Sequence, residues 1–234
     1  MSVFLQKQID KLKKRVLEIG ACCEEGLRDA VVAVLERDAG LAERVIERDT
    51  RIDLLEVELE EECLHTLALH QPVAYDLRYV VAVLKINNDL ERIGDHAKGI
   101  AQQALFLSEE PEIPVPPFDL REMSDTTARM LRWSLDALVE LDVDEAKAVR
   151  KLDKTVDRIN ARMYDDVIAA MRKEPLHMEQ LVHYMSISRQ LERTADHACN
   201  IAKDVRYMAE GEIFRHRRKR REAAAALEAE RAEG

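Results

Sequence analysis

Eight acidic side chains fall into four pairs of equal spacing: Asp49 and Asp53, Glu91 and Asp95, Asp153 and Asp157, Glu192 and Asp196. A separation of four puts both members of a pair on one face of a helix. Spacing alone means little in this chain, because 46 of 234 residues are acidic and chance supplies roughly nine such pairs. Their placement is more informative. Asp53 lies 19 residues before Pro72 and Glu91 lies 19 after it, while Asp49 and Asp95 lie 23 before and 23 after. If Pro72 marks the turn of an antiparallel helix hairpin, equal distance from it means equal height. Asp53 is then expected to face Glu91, and Asp49 to face Asp95. Asp153 and Asp157 precede Pro175 by 22 and 18 residues, and Glu192 and Asp196 follow it by 17 and 21, so the arrangement recurs. Four carboxylates at matched heights raise one another's pKa or recruit a cation. Oxygen donors in that number suit Mg²⁺, Mn²⁺, Ca²⁺ or iron.

The recurrence extends beyond the acids. Leu90-Glu91-Arg92-Ile93-Gly94-Asp95-His96-Ala97-Lys98-Gly99-Ile100-Ala101 returns as Leu191-Glu192-Arg193-Thr194-Ala195-Asp196-His197-Ala198-Cys199-Asn200-Ile201-Ala202. Packing would preserve the apolar positions but does not require the same Glu, Arg, Asp and His, so the chain reads as a duplicated unit. The offset between copies drifts from 104 at the Asp pairs to 101 at the Glu–Asp pairs. A deletion at the second hairpin turn and in the adjoining helix accounts for this. His96 and His197 follow the second acid directly, which turns them about 100° off the carboxylate face. They read as flanking or inter-helix histidines. A di-iron bundle uses Glu-x-x-His, and here the histidine comes five residues after the Glu. Arg51, Arg92, Lys154 and Arg193 sit within these motifs and offer a competing reading, in which the acids are neutralised as surface ion pairs.

The elements that must position these groups are helices. Charged residues are 35% and aromatics 4%, a profile of long amphipathic helices rather than sheet. Four of the six prolines lie in Ser108–Pro117 and divide the chain nearly in half. The first half reads as helices over 3–37, 41–70 and 73–107, with apolar stripes Leu12, Val16, Ile19, Cys23 and Val80, Val83, Leu84, Leu90, Ile93, Ala97. The second reads as helices over 119–141, 143–173 and 176–210. Asp119 with Glu122 forms a capping-box start, and Asp142 and Asp144 are candidate caps. The fold class expected is all-α, two tandem three-helix bundles plus a basic C-terminal helical tail. The domains expected are 1–108, a linker over 109–117, 118–210 and a charged tail over 211–234. The run Arg215–Arg221 reads as a solvated extension or as an arm for an acidic partner, anionic lipid or RNA. A net charge of −10 argues against general nucleic-acid binding. No apolar run is long enough to span a membrane, and the first residues do not read as a signal peptide. Cys22, Cys23, Cys63 and Cys199 form no CxxC pattern and are expected as free thiols in a reducing compartment. Trp133 is expected in the core. There is no Gly-rich phosphate loop, nucleophile elbow or Cys–His arrangement, so no enzymatic machinery is expected.

Over residues 5–210 the sequence resembles the PhoU family of phosphate-signalling regulators, most specifically in the repeated Leu-Glu-Arg-x-x-Asp-His-Ala-x-x-Ile-Ala. The resemblance implies a cytoplasmic, non-enzymatic, often dimeric negative regulator of phosphate uptake and phosphate-starvation signalling. It would act as an adaptor between the ATPase of a phosphate ABC transporter and a sensor histidine kinase, meeting the membrane only through those partners. It further implies a divalent or trivalent metal (iron, zinc, manganese or magnesium) at Asp49, Asp53, Glu91, Asp95, Asp153, Asp157, Glu192 and Asp196. Two other readings stand beside it: a carboxylate-bridged metalloenzyme, and a metal store or structural helical scaffold.

Overall fold

The computed structural model describes residues 3–113 and 118–212. Residues 114–117 of the expected linker and 213–234 of the expected tail lie outside the described residues. Six long helices follow one another: α1 Val3–Glu36, α2 Ala39–His70, α3 Ala74–Glu109, α4 Leu120–Glu140, α5 Val143–Lys173 and α6 Met178–Glu210. The bounds expected from the sequence agree to within two residues.

The helix breaks have local causes that repeat. Arg37 and Leu141 adopt left-handed backbone with φ of 55° and 54°, and each is followed by an aspartate cap. Asp38 accepts from the Leu41 N–H at 2.9 Å. Asp142 accepts from the N–H groups of Asp144 and Glu145 at 2.8 and 3.0 Å, so Asp142 is the cap and Asp144 belongs to the first turn of α5. Asp119 caps α4 by accepting from Glu122 N–H at 2.9 Å. At the hairpins, Gln71 is left-handed before Pro72, and Pro175 opens a short 3₁₀ turn, Pro175–His177. The turn into α6 is therefore no shorter than the turn into α3. The three-residue loss between copies falls in the first turns of α6, because the offset is still 104 at the helix starts, Ala74 and Met178, and is 101 at the motif.

Helices α1, α2 and α3 form one three-helix bundle, and α4, α5 and α6 form the other. The bundles pack side by side, with α3 against α6 and α1 against α4. A single hydrophobic core runs through both. The expected stripes are buried, apart from Leu84, which is only partly covered. Trp133 is likewise only partly buried, with the Arg129 guanidinium 5.8 Å from its ring centre. A surface-facing helix position with room for a cation–π contact explains the difference from the expected core placement. The four cysteines are free thiols, three of them buried.

Gly94 shows how the first bundle brings α2 so close to α3. A Cβ there would lie 3.0 Å from Ile52 Cδ1 and 3.2 Å from its Cγ2, and Ile52 is buried. Gly94→Ala is therefore expected to lower stability by about 1 kcal/mol, since overpacking outweighs the better helix propensity of alanine. Urea unfolding reads this directly; an unchanged midpoint would mean that Ile52 can move aside. The second copy has Ala195 at this position.

Candidate functional site: two acidic seams and the junction between them

The carboxylates of each half gather between its second and third helices. In the first half, burial pushes the Asp53 carboxyl above its usual range, and the charges of Asp49 and Asp95 add to that effect. Glu91 is raised by burial, then by Asp95, with Glu56 and Asp53 contributing. In the second half, burial raises Asp153, followed by the charges of Asp157 and Asp196. Glu192 is raised by burial and then by Asp196, Asp157 and Asp153. Each set of four is thus close enough to repel. One hydrogen bond per half ties the two helices near this height: Asn87 Nδ2 donates to the Glu56 carbonyl at 2.8 Å, and Ser188 Oγ donates to Asn160 Oδ1 at 2.8 Å.

The two seams differ in what answers the charge. Asp49 is buried at 3% exposure, and Lys98 Nζ donates to its Oδ2 at 2.6 Å. The position matching Lys98 is Cys199, a buried thiol hydrogen-bonded with Asp153 and pushed up to about 12 by burial. Of the four cations that could have neutralised the pairs, Arg92 pairs with Glu91 and Asp95 at 3.4 and 3.3 Å. Arg51 turns instead to Glu18 at 3.5 Å. Sequence reasoning missed Lys98 itself, although it stands inside the quoted motif. Among the described residues, no group of three or more His, Cys, Asp or Glu side chains is arranged to hold a metal ion. In donor chemistry the second seam fits one better: it offers four carboxylates and a thiol, and Lys203 eases the ionisation of Asp153 by its charge while donating to Asn200 Oδ1 at 3.0 Å. The first seam fits poorly, because Lys98 already supplies the cation.

His96 and His197 lie off the carboxylate faces, as their helical phase requires, and meet where α3 crosses α6. Their ring centroids are 5.4 Å apart. Contact between equivalent residues of two copies places a local two-fold axis between them, with α3 and α6 antiparallel. His197 Nδ1 donates to Asp89 Oδ1 at 2.7 Å, and Asn200 Nδ2 donates to the same oxygen at 3.2 Å. By the duplication, Asp89 corresponds to Gln190 and Asn200 to Gly99. On that side the ring is left without a carboxylate, and His96 Nε2 is buried with no hydrogen-bond partner among the described residues. Farther along, Lys85 Nζ reaches the buried Asp204 at 3.4 Å, and His183 donates to Gln103 Oε1 at 2.6 Å while stacking on Phe106.

Burial holds His96 well below its ordinary value, at about 4; His197 and Arg193 add to this, while Gln190 and Asp95 oppose it. The folded protein keeps this ring neutral while the unfolded chain takes up a proton below pH 6.5. Acidification from pH 6.5 to about 4 therefore favours unfolding, by on the order of 2 kcal/mol after solvent screening. Asp53, Glu91, Asp153 and Glu192 have the opposite sign. Their raised values return stability as pH falls through them toward the ordinary carboxylate range. The expected result is a melting temperature that declines between pH 7 and 5, and a flatter profile in His96→Gln. An equally steep profile in that variant would assign the loss elsewhere.

Fold and site together define a class: a duplicated helical protein with an acidic seam in each half and the halves joined along one antiparallel helix pair. The PhoU domain profile matches residues 16–104 and 120–205. The chain belongs to the PhoU family. It is 37% identical over 209 residues to the phosphate-specific transport system accessory protein PhoU homolog of Pseudomonas putida, covering 89% of this chain and 82% of that one. The Aquifex aeolicus homolog of the same description is 36% identical over 91% of this chain and 96% of its own. The crystal structure of PhoU from Pseudomonas aeruginosa superposes with a TM-score of 0.86 at 35% identity, covering 88% of this chain and 99% of that one. The phosphate transport system regulatory protein PhoU from Streptococcus pneumoniae gives 0.81 at 27% identity, covering 89% and 98%.

Proposed function

We propose that this chain is an accessory protein of a phosphate-specific transport system that restrains phosphate uptake and starvation signalling. In this reading it is not an enzyme. It works in the cytoplasm as a homodimeric adaptor between the transporter ATPase and a sensor histidine kinase. The observation that carries the reading is family membership across both repeats, together with relatives whose names describe an accessory or regulatory protein of phosphate transport. Two further features support it. No helix among the described residues is long and apolar enough to cross a membrane, which suits contact with the membrane through partners. The outward side of α2 leaves Leu54, Val57 and Leu64 more than half exposed, the kind of apolar surface that partners cover.

The metal belongs to this proposal as well. The second seam, Asp153, Asp157, Glu192 and Asp196, is the better holder. There a bound cation would supply the charge that Lys98 supplies in the first seam, with Asp49, Asp53, Glu91 and Asp95 as the weaker set.

Deleting the gene and reading a phosphate-starvation reporter in phosphate-replete medium tests the function. Derepression that the intact gene reverses is expected. A silent reporter, in a strain with no second copy, would sink the adaptor reading.

A further inference from the structure

The duplication places an internal anion on one side of the junction and leaves the other side without one. Asp89 answers His197 and Asn200, whereas the matching positions around His96 are Gln190 and Gly99. A cavity of about 420 Å³ lies on that second side, with His96, Gln190, Gly99, Ser186, Arg189 and Arg193 in its wall, together with Lys98 and the acidic Asp95. Its volume is in the range of small-molecule sites. Gly99 lets the Gln190 side chain pack close against α3; a Cβ there would stand 2.8 Å from Gln190 Nε2.

We propose that this cavity binds a small free oxyanion of the phosphate class, which takes the place of the carboxylate that the second copy lacks. Three observations carry this. His96 is 9% exposed, and its Nε2 has no hydrogen-bond partner among the described residues, so a buried polar atom in the wall of the cavity is unsatisfied. Arg189 and Arg193 are one helical turn apart on α6, and neither forms an ion pair or hydrogen bond among the described residues. Arg193 eases the ionisation of Glu192 without pairing with it. Two guanidinium groups that share a wall and are not engaged form a planar donor array suited to a tetrahedral oxyanion. Gln190 and Ser186 add neutral donors. Of the carboxylates around these cations, Asp95 is paired with Arg92 at 3.3 Å, while Glu192 and Asp196 line the adjoining cavity together with the same two arginines. The proposal stands independently of the adaptor reading, since it rests on the junction rather than on partners.

The test is titration of the purified full chain with inorganic phosphate, followed by calorimetry and phosphorus NMR, with sulfate as a second tetrahedral probe. Saturable binding near one site per chain is expected. Gln190→Asp, which restores the internal carboxylate, should weaken it about tenfold or more, and so should the double variant Arg189→Gln/Arg193→Gln. Both sets of changes fall on positions that are partly or fully exposed, and melting in phosphate-free buffer verifies that each variant folds. Absence of saturable binding would overturn the proposal, as would binding undiminished in both variants. Association only with vesicles carrying phosphatidic acid would also overturn it and would reassign the arginines to a membrane surface.

Discussion

Lys98→Ala is expected to destabilise the protein by about 2–3 kcal/mol, the cost of leaving a buried charge without its hydrogen-bonded partner. Asp49 is almost wholly removed from water, and the Lys98 ammonium sits 2.6 Å from its Oδ2. Lys98 is itself about a third exposed, which keeps the loss below that of a fully buried pair. In a chain of this size such a loss lowers the melting temperature by roughly 5–10 °C. The double variant Lys98→Ala/Asp49→Leu should recover much of it, because removing both charges also removes the desolvation penalty. The pH dependence has a definite sign. The hydrogen bond from Lys98 to Asp49, followed by the charge of Asp49, raises the lysine above its ordinary 10.5. Its contribution is thus complete below 10.5 and is lost only as pH rises through the raised value. The wild type should show that alkaline loss and Lys98→Ala should not. A variant as stable as the parent would mean that Asp49 finds another partner or takes up a proton.

The second large effect concerns metal and the inequality of the two seams. Protein purified without chelator and supplied with Mn²⁺ or Fe²⁺ is expected to melt about 5–10 °C higher at saturating metal. Asp153→Asn/Glu192→Gln should abolish most of that gain, whereas Asp53→Asn/Glu91→Gln should remove little, because Lys98 already balances the first seam. Without metal, both double variants should be slightly more stable than the parent, since all four carboxylates sit above their ordinary pKa values under burial and mutual repulsion. Elemental analysis gives the independent reading. Equal metal loss in the two double variants would refute the inequality, and no metal in the wild type would refute the metal reading itself.

Much of this architecture was legible along the chain. The hairpins at Pro72 and Pro175, the caps at Asp119 and Asp142, and the matched heights of the acids follow from proline chemistry, capping and a constant rise per residue. Asp38 was also within reach, since it repeats Asp142 one copy earlier, but it was not among the expected caps. Lys98 could have been suspected from its place in the repeated motif; its partner could not. Whether an ammonium at that position reaches Asp49, or points to solvent, depends on how closely α2 approaches α3, and Gly94 sets that approach.

By itself, then, the sequence determined a duplicated all-helical protein of the PhoU family, and it led to the expectation of two facing pairs of carboxylates in each half, one helical turn apart. Those features depend on periods measured along a single helix or across one turn. Only the tertiary structure decided that α3 lies antiparallel against α6, that His197 bonds Asp89 while His96 faces Gln190, and that Lys98 bonds Asp49 in one acidic seam while a thiol stands at the matching position of the other. These depend on the rotation and close approach of helices far apart in the chain. Single substitutions between the copies, Gly94 for Ala195, Lys98 for Cys199 and Gln190 for Asp89, change the chemistry there while leaving the helical pattern untouched.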